Sequence, residues 1–291
     1  MSTKSINKNA KKVDIFMKKY FNNQNQSGLI KSMKYSSLSG GKKIRTSMII
    51  GTGKLFNLDI KKLLNVCAAV ECIHSYSLIH DDLPCMDDDK VRRGKPSTHI
   101  KFGESTAILA GNSLLTLAFE MIADKNYKID NATKIELIKG LAVCSGHTGI
   151  AGGQYLDLKF EKKKKNVNQI INMQRKKTGK LFNFCCLAAG VIAKKNNNIK
   201  KFLSNLGEDI GLLFQLADDF IDIEGNQKTA GKSIKKDKKK GKSTLISLIG
   251  YKKAYNYSFK LKKNILRKLS KHGKKAEELK NTVNFILGRK F

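Results

Sequence analysis

Tryptophan is absent from this sequence, proline occurs only twice, and arginine only six times among 57 basic residues. Both prolines, Pro84 and Pro96, fall in one short region, so no Pro-rich linker divides the chain and residues 1–291 are expected to form a single domain. The shortage of arginine bears on the formal net charge of +33, which would otherwise suggest nucleic acid. Base readout and base stacking favour guanidinium groups, while the lysines here are spread along the whole chain, so no nucleic-acid partner is expected. Long apolar runs are also lacking: no stretch approaches the ~20 apolar residues of a membrane span and the N-terminus lacks a signal-peptide core. A soluble protein without membrane insertion follows. The six cysteines (Cys67, Cys72, Cys85, Cys144, Cys185 and Cys186) have no metal-type spacing and do not read as a disulfide framework, which points to a reducing cytoplasm. Strand-like alternation is scarce and apolar residues recur at helical spacing, so the fold class is expected to be all-α.

Acidic residues number 24, and nine of them crowd into two windows. The first, Leu78–Thr98, reads LIHDDLPCMDDDKVRRGKPST and holds Asp81, Asp82, Asp87, Asp88 and Asp89. Like charges packed this closely repel one another unless cations sit among them. Pro84 disfavours the helical conformation at Leu83, so a helix entering from about Leu63 ends near Asp82 and presents Asp81 and Asp82 on its last turn. There the negative end of the helix dipole adds to the carboxylates. Mg²⁺ takes oxygen ligands and is commonly held by one or two carboxylates together with substrate phosphates, so the window suggests a divalent metal and a phosphorylated ligand. Arg92 and Arg93 supply planar forks suited to that phosphate. The second window, LLFQLADDFIDI with Glu224 directly after it, places Asp218 and Asp222 four apart on one helical face beside Asp219, with Gln215 three residues before Asp218.

Basic motifs stand between and around these windows. Gly40 and Gly41 break the chain before a helix on which Lys42 and Arg45, three apart, are expected to share a face, a reasonable grip for phosphate. His74 lies two helical turns before Asp81, and Tyr76 five residues before it, where a bulky ring would limit any cavity beneath the metal. Lys177 and Thr178 can direct a cation and a hydroxyl into a site. The segment 231–244, GKSIKKDKKKGKST, is a positive loop placed to close over a polyanion.

With DDxxxxD at Asp81–Asp87, RRG at Arg92–Gly94, DDxxD at Asp218–Asp222, and GGK, KTG and GKST in order, the chain resembles the short-chain trans-prenyl diphosphate synthases from roughly Leu38 to Ile249. The resemblance implies an isoprenoid synthase fold, a single bundle of about ten or more helices around a deep central cavity, normally a homodimer. It implies a prenyltransferase that joins isopentenyl diphosphate to dimethylallyl or geranyl diphosphate. Tyr76 is similar to the residue that sets a farnesyl-length product, with geranyl or geranylgeranyl diphosphate as the alternatives. Asp81 and Asp87 on one wall, and Asp218, Asp219 and Asp222 on the other, are implied to hold Mg²⁺, about three ions per site. Arg92, Lys177 and Lys232 would neutralise the allylic diphosphate, with Thr178 and Gln215 beside it. Lys42, Arg45, His74 and Arg93 would hold isopentenyl diphosphate, and Lys242 would act from the closing loop. A terpene cyclase and a basic nucleic-acid-binding protein are the more distant readings.

Overall fold

Apolar residues at Ile6, Ala10, Val13, Met17 and Phe21 recur every three or four positions, and the helix they predict buries all five. This is α1 (Ser2–Asn22) of a computed structural model that describes residues 2–161, 163–224 and 244–288. The next helix, α2 (Gly28–Ser37), starts where the Ser27 hydroxyl accepts from the Ile30 amide at 3.2 Å. Two helices that are apolar nearly all round follow, α3 (Ile44–Leu55) and α4 (Leu64–Asp81), and they occupy the interior. Every residue from Val66 to Ile73 on α4 is buried. As the position of Pro84 predicts, α4 stops at Asp81 with Asp82 as its cap.

A two-stranded antiparallel ribbon, β1 (Val91–Arg92) with β2 (Lys95–Pro96), leads into α5 (Thr98–Phe102) and α6 (Glu104–Ala123). Then come α7 (Asn131–Ser145), α8 (Ile150–Phe160) and α9 (Val167–Gln174). A π-helical turn, Arg175–Gly179, joins α9 to α10 (Lys180–Ile192). The long α11 (Asn197–Glu224) carries the second acidic window, and α12 (Leu245–Ile249), α13 (Tyr251–Ser270) and α14 (Glu277–Leu287) complete the bundle. The all-α expectation holds, since the ribbon supplies the only strands among the described residues.

One hydrophobic cluster runs from Ile6 on α1 to Ile286 on α14, and a smaller one joins Leu212, Leu216 and Phe220 to Leu245, Ile246 and Ala254. The expectation that no stretch approaches a membrane span needs correction at α6. Its 20 residues, with mean hydropathy 1.5 in the most apolar window, are long and apolar enough by length and composition to cross a bilayer. Here 44% of that window is buried, and the helix packs along α4, so part of its apolar surface is spent on the core. What positions the site is the crossing of α10 and α11. A side chain at Gly207 would collide with the Phe182 carbonyl, and one at Gly211 with the Gly179 backbone, so the missing Cβ atoms let α11 lie directly against the π turn.

Candidate active site

The end of α4 builds the first wall. Beyond Asp82 the chain folds back on itself: the Asp87 amide donates to the Asp81 carbonyl at 2.8 Å and the Asp89 amide to the Asp82 carbonyl at 3.1 Å. These bonds carry Asp87 back beside Asp81. Burial pushes the Asp81 carboxyl up to about 6, Lys177 opposes that rise, and the neighbouring Asp87 adds to it. Two carboxylates meeting at the negative end of a helix is an arrangement that a cation relieves. Among the described residues no three His, Cys, Asp or Glu side chains converge tightly enough to hold a metal by themselves. That fits Mg²⁺, which seldom uses an all-protein cage and takes its remaining oxygens from water and phosphate.

The RRG motif is a hairpin turn. Arg92 pairs with Lys95, and the two residues between them, Arg93 (φ 53°) and Gly94 (φ 73°), both sit in the left-handed region that a tight type I′-like turn demands. The turn sends the two guanidinium groups apart. Arg92 donates from Nε to Asp82 at 3.0 Å, from Nη2 to the same carboxylate, and from Nη2 to Asp89 at 3.1 Å. Arg93 reaches the glycine loop instead, donating to the Gly40 carbonyl at 2.6 Å and the Ser39 hydroxyl at 3.1 Å. The first acidic window, the RRG turn and the GGK loop therefore meet. Arg45 lies over the Phe182 and Phe214 rings at 5.0 and 5.6 Å, and its Nε has no hydrogen-bond partner among the described residues. Half-buried His74 feels burial first and then the cations Arg45, Arg93 and Lys43, which hold its imidazole well below its usual range and so neutral.

The π turn links the two walls. Lys177 Nζ is 2.7 Å from Asp157 on α8 and close enough to Asp81 to stabilise its charge. Its neighbour Thr178 donates to Gln215 at 2.7 Å, and Gln215 donates to Asp219 at 2.9 Å. Gln174 donates to the other Asp219 oxygen at 2.9 Å. Burial lowers the affinity of the Arg45 guanidinium for its proton, and Glu71 and, more weakly, Asp218 are near enough to oppose that fall. Tyr76 is buried below Asp81, edge-to-face with His80, with its hydroxyl 3.5 Å from the Ser145 carbonyl. Burial, with a contribution from Asp81, pushes that phenol up to about 12.

The predicted residues Asp81, Asp87, Lys177, Thr178, Gln215, Asp218 and Asp219 are thus linked end to end, and Arg45, His74, Arg92 and Arg93 border them. Asp222 is buried one turn beyond Asp218. Lys42 departs from expectation. It precedes α3 rather than sharing a helical face with Arg45, because Lys43 turns the chain in the left-handed region (φ 43°) and buries its own ammonium within 3.5 Å of Glu71 and 3.4 Å of Asp14. The exposed Lys42 instead lies 4.4 Å over the Phe285 ring. Lys232 and Lys242, with the closing loop up to residue 243, lie outside the described residues. Sequence reasoning missed Asp157, Gln174 and Glu71. Glu71, a single carboxylate in an otherwise apolar stretch of helix, was a usable sign of a buried ion pair. A surface cleft of about 640 Å³ between Ser5, Lys54 and Glu278 contains none of the predicted residues.

The Polyprenyl synthetase profile matches residues 26–285. The chain belongs to the polyprenyl synthetase family. Among curated members, the farnesyl diphosphate synthase of Escherichia coli (strain K12) is 38% identical over 266 residues, covering 90% of this chain and 89% of the relative. Among solved structures, an apo FPP/GFPP synthase from Zymomonas mobilis aligns with TM-score 0.88 at 34% identity, over 99% of this chain and all of that one. A geranyltransferase from Helicobacter pylori, complexed with magnesium and isoprenyl diphosphate, aligns with TM-score 0.84 at 29% identity, over 98% and 96% of the two chains. Such coverage places the whole polyprenyl synthetase framework, both acidic windows included, within the matched region.

Proposed function

We propose that this chain condenses isopentenyl diphosphate with dimethylallyl and then geranyl diphosphate to give farnesyl diphosphate. The observation that carries the reading is the relay from Asp81 through Lys177 and Thr178 to Gln215 and Asp219, which ties two acidic clusters far apart in sequence to one site. Mg²⁺, about three ions when bound, would neutralise charge on the departing diphosphate, with Asp81 and Asp87 on one side and Asp218 and Asp222 on the other as its protein oxygens. Asp219, engaged by two carboxamides, orients this wall and adds a ligand where those bonds yield.

Arg92 and Lys177, joined by Lys232, stabilise the charge that develops on the leaving diphosphate. Arg45, Arg93, Lys42 and neutral His74 hold isopentenyl diphosphate so that its double bond faces the allylic carbon, and Lys242 acts from the closing loop. Carbon–carbon bond formation leaves a tertiary cation, which loses a proton with the departed diphosphate as acceptor. No protein nucleophile is required, and exclusion of water protects the cation from capture. The same reading includes a homodimer through the outer faces of α6 and α7, where Ile108, Leu109, Ile135 and Val143 are exposed. It also includes a reducing cytoplasm, in keeping with six free cysteines. Incubation with MgCl₂, geranyl diphosphate and labelled isopentenyl diphosphate is expected to yield labelled farnesyl diphosphate; consumption of geranyl diphosphate without isopentenyl diphosphate would sink the reading in favour of a cyclase.

A further inference from the structure

Five carboxylates between Asp81 and Asp89 exceed what a cation held largely by substrate oxygens and water requires. The structure divides them. Asp81 and Asp87 sit together, Asp88 is exposed on a left-handed turn (φ 47°), and Asp82 and Asp89, both buried, turn to Arg92. The Arg92 guanidinium spends Nε and Nη2 on these two carboxylates, while its Nη1 group has no hydrogen bond among the described residues. Asp89 is itself fixed, its amide bonded to the Asp82 carbonyl and its own carbonyl accepting from the Ser97 hydroxyl. Although burial works against the charged guanidinium, bonding to Asp82 raises its affinity for the proton.

We propose that Asp89, with Asp82, is a positioning residue for Arg92 rather than a metal ligand: the pair locks the planar fork so that the remaining Nη1 donors face the allylic diphosphate. This rests on the reading of Arg92 as a diphosphate contact. Locking matters because an arginine side chain free to rotate loses much of its binding free energy to ordering, whereas one held by two buried acceptors has been ordered by folding. The metal and the arginine then draw on different carboxylates of one motif.

The test is Asp89→Asn, which keeps the shape and removes the anionic acceptor. KM for geranyl diphosphate is expected to rise about tenfold, near 1.4 kcal/mol. KM for isopentenyl diphosphate, the half-activating Mg²⁺ concentration and Tm are expected to move little. In an Arg92→Lys background, which lacks the planar fork, the same change is expected to add almost nothing. A raised Mg²⁺ requirement with unchanged geranyl KM would make Asp89 a metal ligand and overturn the proposal. So would an equal loss in every parameter accompanied by a fall in Tm, or no change at all. Should D89N not fold, Asp89→Glu, which keeps the charge but displaces it, is read for the same split. Wild-type protein assayed alongside separates the two levels: an inactive wild type strikes the prenyl-transfer reading, whereas an active wild type with an unmoved D89N strikes the positioning role alone.

Discussion

Asp81 carries two opposing demands under the proposed function, since it is half-buried beside other carboxylates yet would have to be charged to take up Mg²⁺. Its folded value of about 6 lies above the ordinary 3.8, so the folded state binds this proton more tightly than the unfolded chain does. In the absence of metal, charging Asp81 therefore costs stability as pH rises from about 4 to 6, and the full cost is present above 6. Mg²⁺ binding runs the other way, because the ion competes with the proton. The half-activating Mg²⁺ concentration is accordingly expected to be flat above pH 7 and to rise steeply, approaching tenfold per unit, as pH falls below about 6. A Mg²⁺ titration repeated from pH 5 to 8 reads this directly, and a flat profile would remove Asp81 from the metal site. Tyr76 allows a second test at this scale. Replacing its buried ring by alanine opens space beneath Asp81, at a stability cost of about 3 kcal/mol. Product chromatography after dephosphorylation is expected to show chains longer by one or more isoprene units, and an unchanged farnesyl peak would detach Tyr76 from length control.

Among the elements, the π turn between α9 and α10 does the most to set the site, and it is where the sequence was least legible. MQRKKTGKLFNF reads as an ordinary cationic helix start, and nothing in its periodicity marks the extra residue of a π turn. The turn follows from outside contacts: Gly153 on α8 lies against the Lys177 backbone, and Gly211 on α11 against Gly179. A Cβ at Gly153 would collide with the Lys177 amide, a backbone group that cannot swing aside. Gly153→Ala is therefore expected to push α8 from the turn, to break the Lys177–Asp157 pair and to lower kcat by about a hundredfold. The helix content by circular dichroism should stay near that of the wild type. Near-normal kcat in G153A would show that the turn tolerates displacement. The termination of α4 at Asp81, by contrast, was legible in advance because Pro84 acts locally. The hairpin geometry of Arg92–Lys95 was not, since Arg93 occupies a left-handed position that sequence alone assigns to glycine or asparagine. The register of Lys42 was lost for a similar reason, the left-handed Lys43.

Over the whole molecule, the order of the acidic and basic motifs made the fold and the site region legible, while the packing that joins them depended on glycines of α8, α11 and the π turn. The charge invites a different question. A net +33 in a 32.5 kDa chain means that folding gathers many more cations than anions into a small volume, and their mutual repulsion weakens the compact state. The described ion pairs relieve it at particular points, such as Lys200–Glu136 and the Arg175–Asp209–Lys268 group, but most of the described lysines take no part in those pairs. Repulsion between exposed charges is long-ranged and screened by salt, with a Debye length of ~10 Å at 0.1 M. The Tm is therefore expected to rise by several degrees between about 0.05 and 0.5 M NaCl, where a protein stabilised mainly by surface ion pairs would lose stability. Chloride must be used first, because pyrophosphate would also stabilise by occupying the site. The two effects separate by form: screening grows gradually with ionic strength, whereas site binding saturates and follows RT ln(1 + [L]/Kd). A Tm that falls with NaCl would mean that the surplus charge is compensated locally, so that the lysines contribute attraction within the folded chain instead of repulsion.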